Sequence, residues 1–477
     1  MPKNNFYITT TLPYVNAKPH IGFAMEIVEA DVLARYHREI GDVVFFNTGT
    51  DEHGQKIYQK AKELKLDMQA YCDNIVPEFN KLKQALDLSY DNFVRTTDIE
   101  HVKAVQTFWQ LCEKNGDIYK KKYKIKYCVG CELEKTDSEL IKGKCPDHPN
   151  MEIETIEEEN YFFRFSAYQE KLLELYKNNP DFVLPQKKMK EVRSFVERGL
   201  EDFSISRLKS KMAWGVPVPG DDNHVIYVWF DALVNYISSL GWPNNLENFE
   251  KFWPVVQICG KDNLRQQSAM WQAMLMSAKL PKSKQIFVNG FIIVDGKKMS
   301  KSLGNVILPY EMVEKFGTDA TRYLLLVGAN FGEDFDITWE KLTERYNADL
   351  ANGLGNLVSR VIKLFEKSSL KFELPTNESK IISNNALCQL IETMELDQAL
   401  ELIKNIVRDS NQKMQEKKPW ELVKNNISEF EKVMSELANN LFVISEYLKP
   451  FLPETSEKIK KALETKKLDA VLFGRIK

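Results

Sequence analysis

Phe6-Tyr7-Ile8-Thr9-Thr10-Thr11 leads through Leu12–Pro19 into His20-Ile21-Gly22-Phe23. The first run is rich in β-formers and predicts a strand. Two prolines and Asn16 make Leu12–Pro19 a loop. Ile21–Ile40 has helical apolar spacing and stops at Gly41. Val43–Asn47 then predicts a second strand and Gly54–Leu66 a second helix. Strands alternating with helices predict a parallel α/β sheet. Ligands of such sheets sit beyond the carboxyl ends of the strands, where His20 and Asp51 fall.

Near Asn115 the pattern changes. In Tyr119–Tyr127, Lys120, Lys122, Lys124 and Lys126 share one face of a predicted strand. That face suits nucleic-acid phosphates or plain solvation equally well. Cys128-x2-Cys131, thirteen residues, then Cys145-x2-His148 has the spacing of a closed tetrahedral zinc site. Three sulfurs and one imidazole leave no open position, so the zinc would be structural. Asp147 is a poorer fourth ligand beside thiolates, and free surface cysteines are the bland alternative. Residues 116–226 read as an insertion that splits the sheet. The α/β pattern resumes with a strand at Val225–Phe230 and a helix through Tyr236, and Ile258–Gly260 and Ile286–Val288 predict further strands.

From about Tyr346 the chain predicts helices. Leu350, Leu354, Leu357, Val358, Val361, Leu364 and Phe365 repeat at three and four, with similar stripes over Leu396–Gln415 and Phe430–Leu448. Lys371–Ser383, with Pro375, predicts a connecting loop. An antiparallel helical bundle is expected here.

Composition sets outer bounds. A length of 477 residues allows two or three domains, and 43% hydrophobic with 28% charged residues is ordinary for a globular protein. No apolar run is long enough to span a membrane. Pro2–Asn5 does not start a signal peptide, so a cytoplasmic protein is expected. The net charge of −3 excludes a general nucleic-acid binder but leaves local recognition open. Seven cysteines, an odd and scattered set, do not form a disulfide framework.

Lys298-Met299-Ser300-Lys301-Ser302 lies between Gly296 and Gly304, which predict a mobile loop. Two ammonium groups brought to a triphosphate would stabilise charge developing on leaving pyrophosphate. His20 at a helix N-terminus, with Gly22 permitting close backbone approach, suits phosphate as well. Taken singly, His20 could be a satisfied loop histidine and the lysines a solvated cluster.

Other stretches join these: Thr11–Asn16, Gly49-Thr50-Asp51-Glu52-His53-Gly54, Ser204-Ile205-Ser206-Arg207, Tyr227-Val228-Trp229-Phe230-Asp231-Ala232, Gly260-Lys261-Asp262, Gly355–Arg360 and Lys418-Pro419-Trp420. In this order, over essentially the full length, the chain resembles the methionyl-tRNA synthetases, a class I aminoacyl-tRNA synthetase family. It is most similar to bacterial members with a single zinc knuckle and no C-terminal dimerisation module, which implies a monomer.

The resemblance implies a class I Rossmann-like parallel sheet split by the zinc insertion and followed by an α-helical bundle. The implied division is residues 1–115 and 227–325 for the two catalytic halves, 116–226 for the insertion, 326–350 for a stem-contact linker, and 351–477 for an anticodon-binding domain. The implied reaction joins methionine to ATP, with Mg2+, as methionyl-adenylate, then moves the methionyl group to the 3′-terminal adenosine of tRNA(Met). Its site would use His20, Lys298 and Lys301 on the triphosphate and Gly22, Glu26, Gly260 and Asp262 on ATP. Asp51 would hold the methionine ammonium, although it could instead cap the helix near Gly54. Leu12, Tyr14, Trp229, Ala232 and Tyr236 would wall the thioether pocket, and Trp229 and Tyr236 could equally be core. Arg207 would join the active-site charges; alone it is a surface arginine. Asn356, Arg360 and Trp420 would read the anticodon by base-edge hydrogen bonds and stacking. Taken from the residues alone, Trp420 reads more readily as buried in the bundle.

Three positions depart from the family pattern. Phe23 stands where a second histidine is usual, and Asn263 and Gln267 replace an aliphatic residue and a histidine. Phe23→His is expected to leave folding intact. Three alternatives remain on these residues: a class I synthetase for another amino acid, a nucleotidyltransferase sharing the phosphate motif, and a tRNA-binding relative with a weakened ATP site.

Overall fold

The computed structural model describes residues 4–131, 133–135, 139–299, 305–372 and 385–477. Its centre is a six-stranded, wholly parallel sheet. The strands are β1 (Asn5–Thr9), β2 (Val43–Thr50), β3 (Asn92–Arg95), β4 (Val183–Leu184), β5 (Val256–Gly260) and β6 (Gln285–Asn289), in the order β3-β2-β1-β5-β6-β4. The chain leaves β1 toward β2 on one side and toward β5 on the other. The crevice beyond the carboxyl ends of β1 and β5 is therefore the switch point where such sheets bind ligands.

Helix α1 (Ile21–Glu39) follows β1 and is buried along most of its length. Small Ala24, Ala30 and Ala34 let it lie against the sheet, and Gly41 at φ +96° ends it. The burial traps three carboxylates. Asp31 is fully buried, and its Oδ2 lies 2.8 Å from Nη1 of the equally buried Arg322. Arg322 belongs to helix Thr318–Leu326 and also donates to the carbonyls of Leu86, Pro450 and Phe451 at 2.7–3.0 Å. Burial works against the Asp31 carboxyl, but Arg322 and Arg35 outweigh it and hold its pKa below the usual range. One guanidinium thus joins α1 to the C-terminal helices.

Within 116–226, the strands Ile118–Cys128 and Glu154–Phe163 form a long antiparallel ribbon. The lysine face meets acidic partners across it: Lys122 opposes Glu159, and Lys124 lies 3.4 Å from Glu157. Lys120 pairs with Asp221 at 2.7 Å. This is a charge-matched strand face. Val183–Leu184 returns from the same span to become the edge of the central sheet.

The strand expected at Val225–Phe230 is a correction. Asp221–Ile226 is a strand, but it pairs antiparallel with Ser206–Leu208 outside the central sheet, and Val228–Leu233 is helix. A short apolar run carries no period that separates the two states. Packing decides it: Phe230 enters the ring cluster of Phe108 and Trp109, at 5.8 and 5.4 Å.

The C-terminal region is helical, as read: Asn356–Phe365, Leu396–Lys417, Pro419–Asn425, Ile427–Leu448 and Pro453–Thr465. The single helix expected from Leu350 is two pieces, because Tyr346–Gly355 is a π-helical turn. Its widened winding coincides with Asn352-Gly353-Leu354-Gly355, where glycines weaken an α-helix. The loop expected at Lys371–Ser383 falls, from 373 on, outside the described residues. Among the described residues no helix is long and apolar enough to cross a membrane.

Asp31→Ala would leave the Arg322 guanidinium buried without its countercharge. A loss of about 3–5 kcal/mol is expected, read as a lower urea midpoint; an unchanged midpoint would contradict the buried pair.

Candidate active site and metal centre

Three of the expected site residues lie at the switch point because the strands end there. Asp51 directly follows β2, Gly260 closes β5, and His20 begins α1 after β1. His20 is the N-cap of α1: its Nδ1 accepts the Gly22 N–H at 3.1 Å. In the neutral ring the proton is then on Nε2. A Cβ on Gly22 would lie 3.0 Å from the His20 ring, so glycine is what lets the imidazole fold over the turn.

Phe23 points the other way. It is buried and meets Phe79 edge-on at 6.0 Å. A histidine there would put an imidazole in this core position and would need a hydrogen-bond partner.

Across the crevice, Ile292–Val294 and Lys297–Lys298 form a tight hairpin around Asp295 and Gly296, both at positive φ. The backbone of Lys298 pairs with Ile293. Ser300, Lys301 and Ser302 lie outside the described residues. The chain beyond them returns to α1: Ile21 N–H donates to the Ile307 carbonyl at 3.4 Å. Ile307, on the far side of those residues, is therefore held next to the first residue of α1.

Glu26, Gly260 and Asp262 gather on the β1–β5 side. Glu26 Oε1 accepts from the Thr11 N–H and hydroxyl at 2.7 and 2.6 Å. Burial pushes its carboxyl up to about 8, and the charge of Asp262 adds to this. A Cβ on Gly260 would lie 2.7 Å from Asp262 Oδ1, so a larger residue would make that carboxylate shift.

Asp51 is buried beside Tyr14, with Asp51 N–H donating to the Pro13 carbonyl and Val15 N–H to the Asp51 carbonyl, at 3.0 and 3.2 Å. The Tyr14 ring meets Trp229 edge-on at 6.4 Å. Trp229 is half-buried, and its indole N–H has no acceptor among the described residues. Ala232 and Tyr236 follow at helical spacing and are buried, and Leu12 lies half-buried beside Pro13. Gln267 is buried too: its amide donates to the Tyr236 hydroxyl and accepts from Gln257 Nε2, each at 2.5 Å. Two of the polar residues at unexpected positions thus have different settings, since Asn263 only reaches Asp262 Oδ1 at 3.4 Å.

One cluster went unread. The Asp231 carboxylate is fully buried and takes His53 Nδ1 at 2.6 Å on one oxygen and His101 Nε2 at 2.9 Å on the other. Burial alone would raise its pKa, but the two imidazoles hold it below the usual range. His53 N–H also donates to Asp51 Oδ1 at 3.4 Å. The relay fixes the Asp51 loop against the helix that carries Trp229. Its signal was present, since His53 and Asp231 both lie inside quoted motifs; only their partnership was hidden.

Arg207 lies farther along the crevice. Its Nη1 donates to the Ser204 hydroxyl and the Ser206 carbonyl at 2.8 Å, and its guanidinium covers the Tyr227 ring at 4.3 Å.

The ligand atoms of Cys128, Cys131, Cys145 and His148 all lie within 4.8 Å of one another and could hold a metal ion. Cys131 Sγ is 3.4 Å from Cys145 Sγ and 3.2 Å from His148 Nδ1. Thiolates about 2.3 Å from one tetrahedral zinc stand about 3.8 Å apart, so the set fits with small adjustment. A Cβ on Gly130 would fall 2.4 Å from His148 Cγ. Glycine at 130 is thus needed for the imidazole to reach the sulfurs.

In the C-terminal region Asn356 and Arg360 are one turn apart and line a groove of about 540 Å³. Arg360 lies over the half-buried Trp420 ring at 5.4 Å, so these three residues are brought together. Asn352, Asn411, Gln412 and Gln415 line the same groove and were not anticipated.

Gly130→Ala is expected to displace His148 and cut bound metal per chain well below that of the parent, measured by elemental analysis after dialysis. His53→Ala leaves Asp231 short of a donor and should cost about 1–3 kcal/mol. His53→Asn, whose amide nitrogen occupies the Nδ1 position, should recover most of it; equal melting temperatures for the two variants would refute the relay.

Comparison with known proteins supplies the family. The model for class I (M) tRNA synthetases matches residues 6–154 and 150–362, and the anticodon-binding domain of methionyl-tRNA ligase matches 378–471. A methionine–tRNA ligase of Thermotoga maritima is 41% identical over 95% of this chain and 74% of its own length. One from Nostoc is 40% identical over 96% and 89%. The Mycobacterium tuberculosis methionyl-tRNA synthetase solved with methionyl-adenylate superposes with a TM-score of 0.89 at 33% identity, covering 99% of this chain and 98% of that one. With matches that span both the parallel-sheet region and the helical end, the chain belongs to the methionyl-tRNA synthetase family of class I aminoacyl-tRNA synthetases.

Proposed function

We propose that this chain works as a methionine–tRNA ligase: it activates methionine with ATP as methionyl-adenylate and transfers the methionyl group to the 3′-terminal adenosine of tRNA(Met). Family membership carries the reaction class, and one observation carries the chemistry. The Ile21 N–H donates to the Ile307 carbonyl, which brings Ile307, beyond the Lys298–Ser302 motif, to the histidine end of α1 and supports a reading in which both motifs serve one triphosphate.

In the first step the methionine carboxylate attacks the α-phosphorus and pyrophosphate leaves. Asp51 pairs with the ammonium, and Leu12, Tyr14, Trp229, Ala232 and Tyr236 enclose the thioether, where apolar burial and sulfur–aromatic contact supply affinity. Glu26, Gly260 and Asp262 face the adenosine. With its pKa near 8, Glu26 enters neutral solution largely protonated and can donate to a ligand as well as accept. His20 and Gly22 at the positive end of α1, with Lys298 and Lys301, take the charge developing on pyrophosphate. ATP arrives as its magnesium complex, which offsets part of the triphosphate charge. Arg207 adds positive charge to the crevice.

In the second step the terminal adenosine replaces AMP on the methionyl carbonyl. Asn356, Arg360 and Trp420 identify the tRNA by its anticodon, the amide and guanidinium on base edges and the indole by stacking. Zinc is the metal that three thiolates and an imidazole favour, in a closed and therefore structural site. Substrates of this kind put the work in the cytoplasm.

Amino-acid-dependent ATP–pyrophosphate exchange, run across all amino acids, tests the reading. Exchange with methionine alone is expected. Lys301→Ala should slow it about tenfold to a thousandfold. Exchange with a different amino acid, or none, would overturn it.

A further inference from the structure

A cavity of about 290 Å³ lies where the insertion that carries the Cys128–His148 cluster meets the catalytic sheet. Gly54 and Gln55, just beyond Asp51, form one side; Tyr127 and Glu158 of the insertion ribbon form the other; Arg207 and Tyr227 close it. It is a little smaller than the roughly 300 Å³ at which small-molecule sites begin. That size suits a nucleobase better than a whole nucleotide.

Glu158 is the unusual member. Its side chain is 1% exposed. Oε1 accepts from Asn160 Nδ2 at 2.7 Å. Oε2 is buried and accepts no hydrogen bond among the described residues, although the Lys211 ammonium stands 3.5 Å away. A buried carboxylate oxygen in a cavity, with an ammonium at ion-pair distance but no hydrogen bond, has capacity for a donor that a ligand brings. The other walls suit a flat ring: the Arg207 guanidinium lies over Tyr227 at 4.3 Å and over Tyr127 at 5.2 Å. Unstacked bases are held by such aromatic and guanidinium surfaces.

We propose that this cavity takes the adenine of the 3′-terminal adenosine of tRNA, with Glu158 Oε2 accepting from its exocyclic N6 amino group. The proposal rests on the ligase reading above and specifies where the acceptor end sits. The location fits the transfer step, because the cavity wall includes Gly54, on the same loop as Asp51. The chemistry sets a preference: adenine presents a donor to the carboxylate, whereas a 6-oxo purine presents an acceptor that repels it.

The test compares aminoacylation of tRNA ending in adenosine, in purine riboside, which lacks the 6-amino group, and in inosine, which carries a 6-oxo group. For the parent enzyme kcat/KM should fall about tenfold or more with purine riboside and further with inosine. In Glu158→Gln, the Asn160 donor holds the amide oxygen and turns the amide nitrogen into the cavity, so inosine should overtake adenosine. These ratios do not depend on the fraction of active enzyme, and the parent arm needs no variant. Equal use of adenosine and purine riboside by the parent, or an unchanged order in Glu158→Gln, would overturn the proposal. Failure of methionine-dependent exchange in the parent would instead remove the ligase reading itself.

Discussion

A helix that starts beneath a ligand crevice leaves N–H groups needing acceptors, and the first turn of α1 shows how that need organises the molecule. The Gly22 N–H is taken by the His20 ring, and the Ile21 N–H by the carbonyl of Ile307. The second bond spans most of the chain. It ties Ile307, which follows the Lys298–Ser302 motif in the chain, to the first residue of α1. On the proposed reading, phosphate-binding groups from distant sequence would share one helix end, whose partial positive charge favours anions.

Buried charge holds the rest in register. Asp231 with His53 and His101 ties the Asp51 loop to the helix bearing Trp229. Glu52, between Asp51 and His53, faces the opposite way, where Arg95 takes both of its oxygens at 2.6 and 2.8 Å. Arg322 with Asp31 binds α1 to the C-terminal helices. Each of these groups is satisfied only while separate segments stay in place, and removing one partner from such a pair costs more than the pair contributes. The crevice is thus built on elements with few other arrangements open to them.

Much of this was legible in the sequence, for identifiable reasons. Alternating strand and helix patterns gave the parallel sheet, and Cys128, Cys131, Cys145 and His148 declared themselves by spacing. What escaped was set by tertiary contact. Val228–Phe230 reads equally as strand or helix until Phe230 finds Phe108 and Trp109. Phe23 read as a lost phosphate ligand, whereas it is a core side chain against Phe79. His53 and Asp231 are 178 residues apart, and no local period links them. Gly130 did carry a signal, but the close approach it permits is that of the His148 ring, which only coordinates reveal.

The central claim is that His20 and the Lys298–Lys301 segment act on a single triphosphate. A crystal structure of the protein with methionine and a non-hydrolysable ATP analogue tests it most directly. The account predicts the triphosphate at the N-terminus of α1, within hydrogen-bonding distance of His20 and of at least one of the two lysines. A triphosphate that touches only one of these elements, or lies away from the crevice between β1 and β5, would contradict it.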